Sequence, residues 1–168
     1  MKKTAIIYGS TTGTTADVAR KIAKIMGIAD ADVYNVRDVS PTIFGKYDRF
    51  LLGSSTWGSG NVQDDWYDFL DGASAVALRG KEFALFGCGD ETMADTFCDA
   101  LGDIYNRLKD TGATFVGAFN ADGYTFEHSR SRRPDGLMVG LVLDEVNHPE
   151  FSDLRIRQWI DVILNGEG

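Results

Sequence analysis

Runs of apolar residues alternate along the chain with segments in which apolar residues recur every three or four positions. The runs predict six β-strand segments, at residues 4–8, 32–36, 49–52, 82–86, 113–119 and 138–143. Because these runs are almost continuously apolar, they are typical of parallel strands that are covered on both faces.

The segments between the strands predict four helices. Thr14 or Thr15 is expected to cap the first, Asp64 the second and Ser152 the last, and Gly112 is expected to close the third. Strands and helices in alternation predict an α/β protein with a doubly wound parallel sheet, folded as a single domain over residues 1–168. The apolar residues with helical spacing are Val18, Ile22, Ile25 and Met26; Trp66, Phe69 and Leu70; Phe97, Cys98, Leu101, Ile104, Tyr105 and Leu108; and Ile156, Trp159, Ile160, Ile163 and Leu164.

Residues 120–137, "NADGYTFEHSRSRRPDGL", break this alternation. The stretch is polar and rich in Gly and Arg, and it stands where the last strand should run without interruption. We interpret it as an insertion in strand five. Its basic run "SRSRRP" is interpreted as a solvated loop tip, with a partner contact as the alternative.

The composition favours a globular protein that acts without nucleic acid or a membrane. Hydrophobic residues make up 43% and charged residues 25% of the chain, and no apolar run approaches the roughly 18 residues of a membrane span. The start "MKKTAIIYGS" lacks the apolar region of a secretory signal, so we expect a cytoplasmic protein. The net charge of −8 disfavours nucleic acid and suits a basic protein partner. Cys88 and Cys98 form no CxxC pattern and are expected to be free thiols.

A glycine follows three of the predicted strands: Gly9, Gly53 and Gly87. The carboxyl ends of parallel strands lie along one edge of a sheet, so the first loop (residues 9–15), the second loop (53–63) and the third loop (87–93) should converge there. Open α/β sheets bind ligands at such an edge. The three loops together therefore predict a binding site.

The first loop offers backbone amides, hydroxyls and a helix N-terminus but no cation. The stretch "YGSTTGTTAD" has Thr14 where nucleoside triphosphate loops have lysine, and it lacks the GxGxxG dinucleotide fingerprint. A terminal monophosphate fits it best, and a Thr-rich capped turn without a ligand is the alternative.

The second loop, "GSSTWGSGNVQDDW", places Trp57 beside Gly58, Ser59 and Gly60. A wide π-face beside a flexible backbone suits an aromatic ligand, although Trp57 as a lid on the core is the alternative.

With the third loop and the C-terminal segment added, the chain resembles the flavodoxins, small FMN-binding electron carriers, over nearly its whole length. The matching stretches are "YGSTTGTTADVA", "GSSTWGSGNVQDDW", "LFGCGDETMADTFCDALG" and "VGLVLDEVNHPEFSDLRIRQWI". The insertion makes the chain similar to long-chain flavodoxins. The resemblance implies a three-layer flavodoxin-like sandwich with a five-stranded parallel sheet in the order 2-1-3-4-5.

The resemblance also assigns the cofactor contacts. It implies phosphate contacts from Ser10, Thr11, Thr12, Gly13, Thr14 and Thr15; ring contacts from Ser55, Thr56, Trp57, Gly58, Ser59 and Gly60; and contacts to the pyrimidine edge and the other face from Cys88, Gly89, Asp90, Met93 and Phe97. No catalytic residue is implied. His128 and His148 lack metal-ligand spacing, and we assign them no chemistry.

The third loop departs from the family pattern, which usually reads Gly-Asp-Gln followed by a tyrosine that stacks on the flavin. Here Glu91 replaces the glutamine and the tyrosine is missing, so either Met93 covers that face with its thioether or the loop leaves the face partly open. We expect the Glu91 carboxylate to be exposed and without contacts.

The implied function is that of a low-potential one-electron carrier, not an enzyme, with non-covalent FMN cycling between semiquinone and hydroquinone. By the same resemblance, the peptide between Gly58 and Ser59 turns over so that the Gly58 carbonyl accepts the proton on flavin N5. A monomer would pass electrons from a flavodoxin reductase or another oxidoreductase to acceptor enzymes. Seven acidic residues near this edge could dock basic faces of these redox partners, with ordinary solvated carboxylates as the alternative: Asp64, Asp65, Asp68, Asp90, Glu91, Asp144 and Glu145.

Two other functions can be weighed against the carrier. An FMN-dependent quinone or NAD(P)H reductase remains the alternative, although the sequence shows no second nucleotide fingerprint. A phospho-accepting signalling domain would need an aspartate at the end of strand three, where Gly53 and Ser54 stand, and is rejected.

Overall fold

The structure is a computed structural model that describes residues 2–9, 13–57, 61–62, 64–73, 76, 78–92 and 96–165. Its strands are β1 (Thr4–Gly9), β2 (Val33–Asn35), β3 (Arg49–Trp57), β4 (Asn61–Val62), β5 (Glu82–Cys88), β6 (Thr114–Val116) and β7 (Leu141–Leu143). Its α-helices are α1 (Thr14–Met26), α2 (Trp66–Ala73), α3 (Asp99–Leu108) and α4 (Pro149–Asn165).

The central sheet is parallel and runs in the order β2-β1-β3-β5-β6, with β7 also pairing with β5 and β4 forming an antiparallel pair with β3. The predicted order 2-1-3-4-5 is confirmed, because β6 and β7 together occupy the fifth position.

Strand five is split, as predicted. β6 pairs with the first half of β5, residues Glu82 to Ala84, and β7 pairs with the second half, residues Phe86 to Cys88. The backbones of Phe119 and Met138 exchange two hydrogen bonds, of 3.0 and 2.8 Å, and close the base of the insertion. The chain therefore leaves the sheet and returns to the same edge without disturbing the register.

Helices cover both faces of the sheet and bury two apolar clusters. On one face, α1 and α4 pack side chains such as Ile22 and Trp159 against the sheet. On the other face, α2 and α3 contribute Trp66, Phe69 and Ile104. Burial of these large side chains supplies the main stabilising term for the fold.

Several helix ends differ from the prediction. Helix α1 is preceded by Gly13, with φ 93° and no side-chain cap, so neither Thr14 nor Thr15 is the cap. Helix α4 begins at Pro149, a residue favoured at a first helical position, and Ser152 lies buried inside the helix. Helix α3 ends at Leu108, so Gly112 belongs to the turn that follows. Tertiary packing sets these helix boundaries, so they cannot be predicted from local capping residues alone.

Strands β3 and β5 also continue beyond the glycines that were expected to end them. A Cβ at Gly53 would lie 2.2 Å from Cζ of Phe86, and a Cβ at Gly87 would lie 2.7 Å from the carbonyl oxygen of Ser54. These glycines are therefore explained by close packing across the sheet rather than by a turn. Among the helices within the described ranges, none has the length and apolarity needed to cross a bilayer.

Candidate functional site at the carboxyl edge of the sheet

The strand register brings the three predicted loops to one edge. Gly9 of β1 pairs with Ser54 of β3, which pairs in turn with Gly87 of β5, and Ser55 pairs with Cys88. The first, second and third loops therefore leave the sheet side by side, as the sequence predicts.

The N-terminus of α1 lies at this edge and places a buried hydroxyl there. The Thr15 side chain is fully buried, and its Oγ1 makes no hydrogen bond within the described part of the chain, although the Cys88 thiol lies near it. The N-cap residue, Gly13, has no side chain that could accept from the first amides of the helix. A buried hydroxyl and the positive end of a helix dipole together suit an anion.

The Cys88 thiol stays protonated beside Thr15. Burial raises its pKa to about 12, and the negative charge of Glu145 adds to that effect. Burial also raises the pKa of the Cys98 thiol well above its usual range. Both cysteines are buried free thiols, as expected, and neither has the lowered pKa of a reactive cysteine.

The second loop begins as a continuation of β3. The Thr56 hydroxyl accepts a hydrogen bond from the amide of Ala100 at 3.2 Å, which ties the end of β3 to the start of α3. Ser55 is half-buried beside it, and the backbone of Trp57 ends the strand.

The start of the third loop is held by backbone and carboxylate contacts. The amide of Gly89 donates to the carbonyl of Leu143 at 2.9 Å, so this amide is already engaged within the protein. The Asp90 carboxylate accepts from the amide and hydroxyl of Thr92 at 2.9 and 2.5 Å and from Nδ2 of Asn147 at 2.7 Å. The hydrogen bonds from Thr92 lower the pKa of Asp90, which keeps a negative charge at this edge.

Glu91 corrects the expectation of an exposed carboxylate without contacts. Only 12% of its side chain is exposed, and its Oε2 accepts from the amide of Thr125 in the insertion at 2.7 Å. Its Oε1 lies 2.6 Å from Nε2 of His148. Glu91 therefore links the third loop to the insertion and to the residue before α4.

Asp144 corrects the expectation of a docking residue. It is fully buried, and its carboxylate accepts hydrogen bonds from the amides of Glu91, Val146 and Asn147 at 2.9, 3.0 and 2.8 Å. Nδ2 of Asn147 adds a fourth hydrogen bond at 2.8 Å. Asp144 therefore organises the third loop from within and cannot meet a partner protein.

His148, to which we assigned no chemistry, also belongs to this network. Its Nδ1 lies 3.3 Å from Oε1 of Glu150, and its ring stacks on Phe151 with 4.9 Å between centroids. Two signals in the sequence point to the network. A carboxylate follows the apolar run "GLVL" at the sheet edge, where it can accept from the amide two residues on in an Asx turn, and an asparagine follows it three residues later.

Phe97, which was predicted to contact the flavin ring, lies in the apolar core. It is buried, stacks on Phe126 with 4.6 Å between centroids and meets the ring of Tyr124 edge-on. These contacts give it a packing role under the insertion, and its contact with a cofactor stays a prediction. Cys98 lies in the core, as expected, with an unusual positive φ of 51°.

Comparison with known proteins decides the family. The sequence profile described as Flavodoxin matches residues 6–159. The chain belongs to the flavodoxin family. Flavodoxin 1 of Azotobacter vinelandii is 43% identical over 97% of this chain and 96% of its own length, and Flavodoxin 1 of Escherichia coli K12 is 42% identical over 97% and 93%.

Solved structures agree with this assignment. The crystal structure of the Fusobacterium nucleatum flavodoxin bound to flavin mononucleotide matches with a TM-score of 0.91 and 28% identity over 99% of each chain. The predicted family and the predicted flavodoxin-like fold are therefore confirmed. Flavodoxins are electron-transfer proteins rather than enzymes, and the reductase alternative is not favoured.

Some of the predicted flavodoxin contacts lie outside the described residues: Ser10, Thr11, Thr12, Gly58, Ser59, Gly60 and Met93. The peptide turn between Gly58 and Ser59 and the cover by Met93 stay predictions for that reason. Of the remaining contacts, Gly13 to Thr15, Ser55 to Trp57 and Cys88 to Asp90 lie at the shared edge. No group of three potential metal ligands occurs within the described residues.

Proposed function

We propose that this flavodoxin is a low-potential carrier that holds FMN non-covalently at the carboxyl edge of its sheet. The observation that carries the proposal is the buried Thr15 hydroxyl at the N-terminus of α1, which has only the Cys88 thiol near it and no hydrogen bond within the described residues. A buried hydroxyl without a partner is unfavourable in the protein alone, and a phosphate oxygen would satisfy it.

The first loop would hold the phosphate through Thr14, Thr15 and the amides that follow Gly13, together with the predicted contacts of Ser10, Thr11 and Thr12. Residues 55–57 and 88–90 would line the ring. FMN, when bound, supplies a group that accepts and releases electrons one at a time. The fit is consistent with the bound flavin mononucleotide of the Fusobacterium nucleatum flavodoxin.

The chain surrounds this edge with negative charge. The first, second and third loops contain no lysine or arginine, while Asp90 keeps a lowered pKa at the start of the third loop. Added negative charge on the cofactor is therefore disfavoured here, which favours release of electrons at low potential.

Titration of the apoprotein with FMN tests the proposal, and riboflavin, which lacks the phosphate, is the matched ligand control. We expect FMN to bind at least tenfold more tightly than riboflavin, and the complex to be reduced by dithionite in two resolved one-electron stages. Equal affinity for the two flavins would contradict the phosphate site. Consumption of NAD(P)H with a quinone by the purified protein alone would instead support the reductase.

We propose further that the redox partners of this carrier, a reductase or oxidoreductase donor and the acceptor enzymes, dock through basic faces. Asp64 and Asp68 are exposed just after the second loop, and Asp65 is half-exposed between them. Such docking is electrostatic and is screened by salt. The cytoplasmic location and the monomeric state stay predictions.

Electron-transfer rates with a basic reductase test this docking. The double substitution Asp64→Asn and Asp68→Asn should lower the second-order rate about threefold at low salt and flatten its dependence on ionic strength. Asp161→Asn is the matched control, because Asp161 is exposed on α4, which covers the other face of the sheet from α2. Equal effects of the two changes would contradict a docking surface at α2.

A further inference from the structure

His148 and Glu91 connect three separate segments of the chain next to the proposed cofactor edge. Nε2 of His148 lies 2.6 Å from Oε1 of Glu91, and the second oxygen of Glu91 accepts from the amide of Thr125 at 2.7 Å. Through these contacts the third loop is fastened to the insertion and to the start of α4.

The surroundings fix the imidazole in place. Its ring lies nearly parallel to that of Phe151, with an interplanar angle of 3°, and 5.6 Å from the ring centroid of Tyr124. Only 24% of the His148 side chain is exposed. An imidazole held this way keeps its nitrogens on Glu91 and Glu150 rather than sampling the solvent.

The charges around His148 favour its protonated form. Glu91 faces it from the third loop and Glu150 faces it from α4, and Asp90 and Asp144 lie one contact further away through Asn147.

Tyr124 and Arg155 also lie near His148, and they have less influence on its protonation. Burial raises the pKa of Tyr124 to about 12, so this phenol is neutral, and the Arg155 guanidinium is placed over the Tyr124 and Phe151 rings, 4.4 and 5.4 Å from their centroids. The hydrogen bond with Glu91 outweighs partial burial and raises the pKa of His148.

We propose that His148 and Glu91 form a proton-dependent clasp that holds the third loop in its binding position, which makes His148 a positioning residue for the cofactor. The inference rests on the proposed FMN site. The clasp also gives Glu91 a role on this chain that a neutral glutamine would not fulfil, because only a carboxylate forms an ion pair with the imidazolium.

The direction of the pH effect follows from the raised pKa. The clasp is at full strength below the ordinary histidine pKa of about 6.5, and it weakens as the pH rises through the raised pKa of His148. Neutral His148 still donates one hydrogen bond to Glu91, so the ion-pair contribution is lost and the contact is kept. FMN binding should therefore weaken above about pH 6.5.

Dissociation constants of FMN measured from pH 6 to pH 8.5 test the clasp. We divide the dissociation constant of the parent protein by that of His148→Gln, which keeps a hydrogen-bonding side chain but does not titrate. We expect this ratio to rise about threefold to fivefold from the lowest to the highest pH. The dissociation constant of Glu91→Gln, divided by that of His148→Gln, should stay constant over this range. His128→Gln, at the exposed second histidine, is the control and should keep the parent profile. The phosphate of FMN titrates near pH 6, but this titration is common to all variants and cancels in the ratio.

A second measurement separates this inference from the proposed function. The His148 imidazole is titrated by NMR in the apoprotein, and its pKa should fall in Glu91→Gln. An unchanged pKa, or the same FMN profile in the parent and His148→Gln, would overturn the clasp. Failure of every variant to bind FMN would overturn the proposed function and the positioning role with it, while the NMR titration would still decide whether the ion pair exists.

Discussion

The Asp144 carboxylate accepts a hydrogen bond from the backbone amide of Glu91 at 2.9 Å, across 53 residues of sequence. The same carboxylate binds the amides of Val146 and Asn147 in its own turn. One buried charge therefore fixes the third loop relative to the end of β7, which explains how a loop with few apolar residues keeps its shape.

Replacing this charge should loosen the loop and the fold together. Asp144→Asn replaces one acceptor oxygen with an NH2 group, which would face N–H donors instead of accepting from them. We expect this change to lower the free energy of unfolding by about 2–3 kcal/mol. Urea denaturation of the apoprotein measures this loss. Asp153→Asn is the control, because Asp153 forms an exposed pair with Lys21 and its replacement should change stability by less than about 0.5 kcal/mol. Similar losses for both variants would contradict the organising role of Asp144.

Thr15→Val should separate stability from cofactor binding. Removing a buried hydroxyl that makes no hydrogen bond within the described residues should leave the free energy of unfolding of the apoprotein unchanged or raise it by up to about 1 kcal/mol. The same change should raise the FMN dissociation constant about tenfold, because a phosphate contact is lost. Denaturation and flavin titration of the same preparation measure both quantities.

Ser152→Ala provides the control for Thr15→Val. The Ser152 hydroxyl is also buried and makes no hydrogen bond within the described residues, but it lies inside α4. Its removal should affect stability in the same direction and leave FMN affinity unaltered. Unchanged FMN affinity in Thr15→Val would remove Thr15 from the site.

Gly53→Ala should destabilise the sheet. The new Cβ would lie 2.2 Å from Cζ of Phe86, a fully buried ring that also meets Trp159 edge-on at 6.0 Å. We expect a loss of about 2–3 kcal/mol in the free energy of unfolding, measured by urea denaturation. Gly45→Ala is the control, since its Cβ would have no neighbour within 4 Å and should change stability by less than about 1 kcal/mol. Equal urea midpoints for the two variants would show that the Phe86 side chain can move aside at little energetic cost.

The buried pair of Arg49 and Glu82 gives a pH-dependent prediction. Nε of Arg49 lies 2.7 Å from Oε1 of Glu82, and Lys2 binds the other oxygen. Burial opposes ionisation of Glu82, but the hydrogen bonds from Lys2 and Arg49 outweigh it and lower the pKa. The stabilisation is therefore present above the unfolded-state pKa of about 4.3, and it is lost as the pH falls through the lower folded-state pKa.

Glu82→Gln should lower the free energy of unfolding by about 3 kcal/mol at pH 7, because it removes the carboxylate charge that the buried Arg49 side chain contacts through Nε. Urea denaturation from pH 7 to pH 3 should show this difference constant down to about pH 5 and shrinking below about pH 4. Asp17→Asn, which removes an exposed pair with Arg20, is the control and should show little difference at any pH. A difference for Glu82→Gln that does not shrink with acidity would contradict the ion pair.

The sequence was enough to predict the alternation of strands and helices, the split in strand five and the edge where the three loops meet. These features follow from apolar periodicity, which acts over a few residues and is therefore visible locally. Residues 113–119 and 138–143 both read as strand, and the structure pairs β6 and β7 with opposite halves of β5.

Which polar groups form hydrogen bonds with one another depends on the three-dimensional packing of the chain. Glu91 joins Asp144 and His148 over separations of 53 and 57 residues, and these contacts depend on the path of the insertion and the place where α4 begins. The buried Thr15 hydroxyl is likewise decided by packing around α1 rather than by its capping signal. Hydrogen bonds form only within about 3 Å and in a narrow range of angles, so small displacements of the backbone decide them, while apolar burial tolerates such displacements.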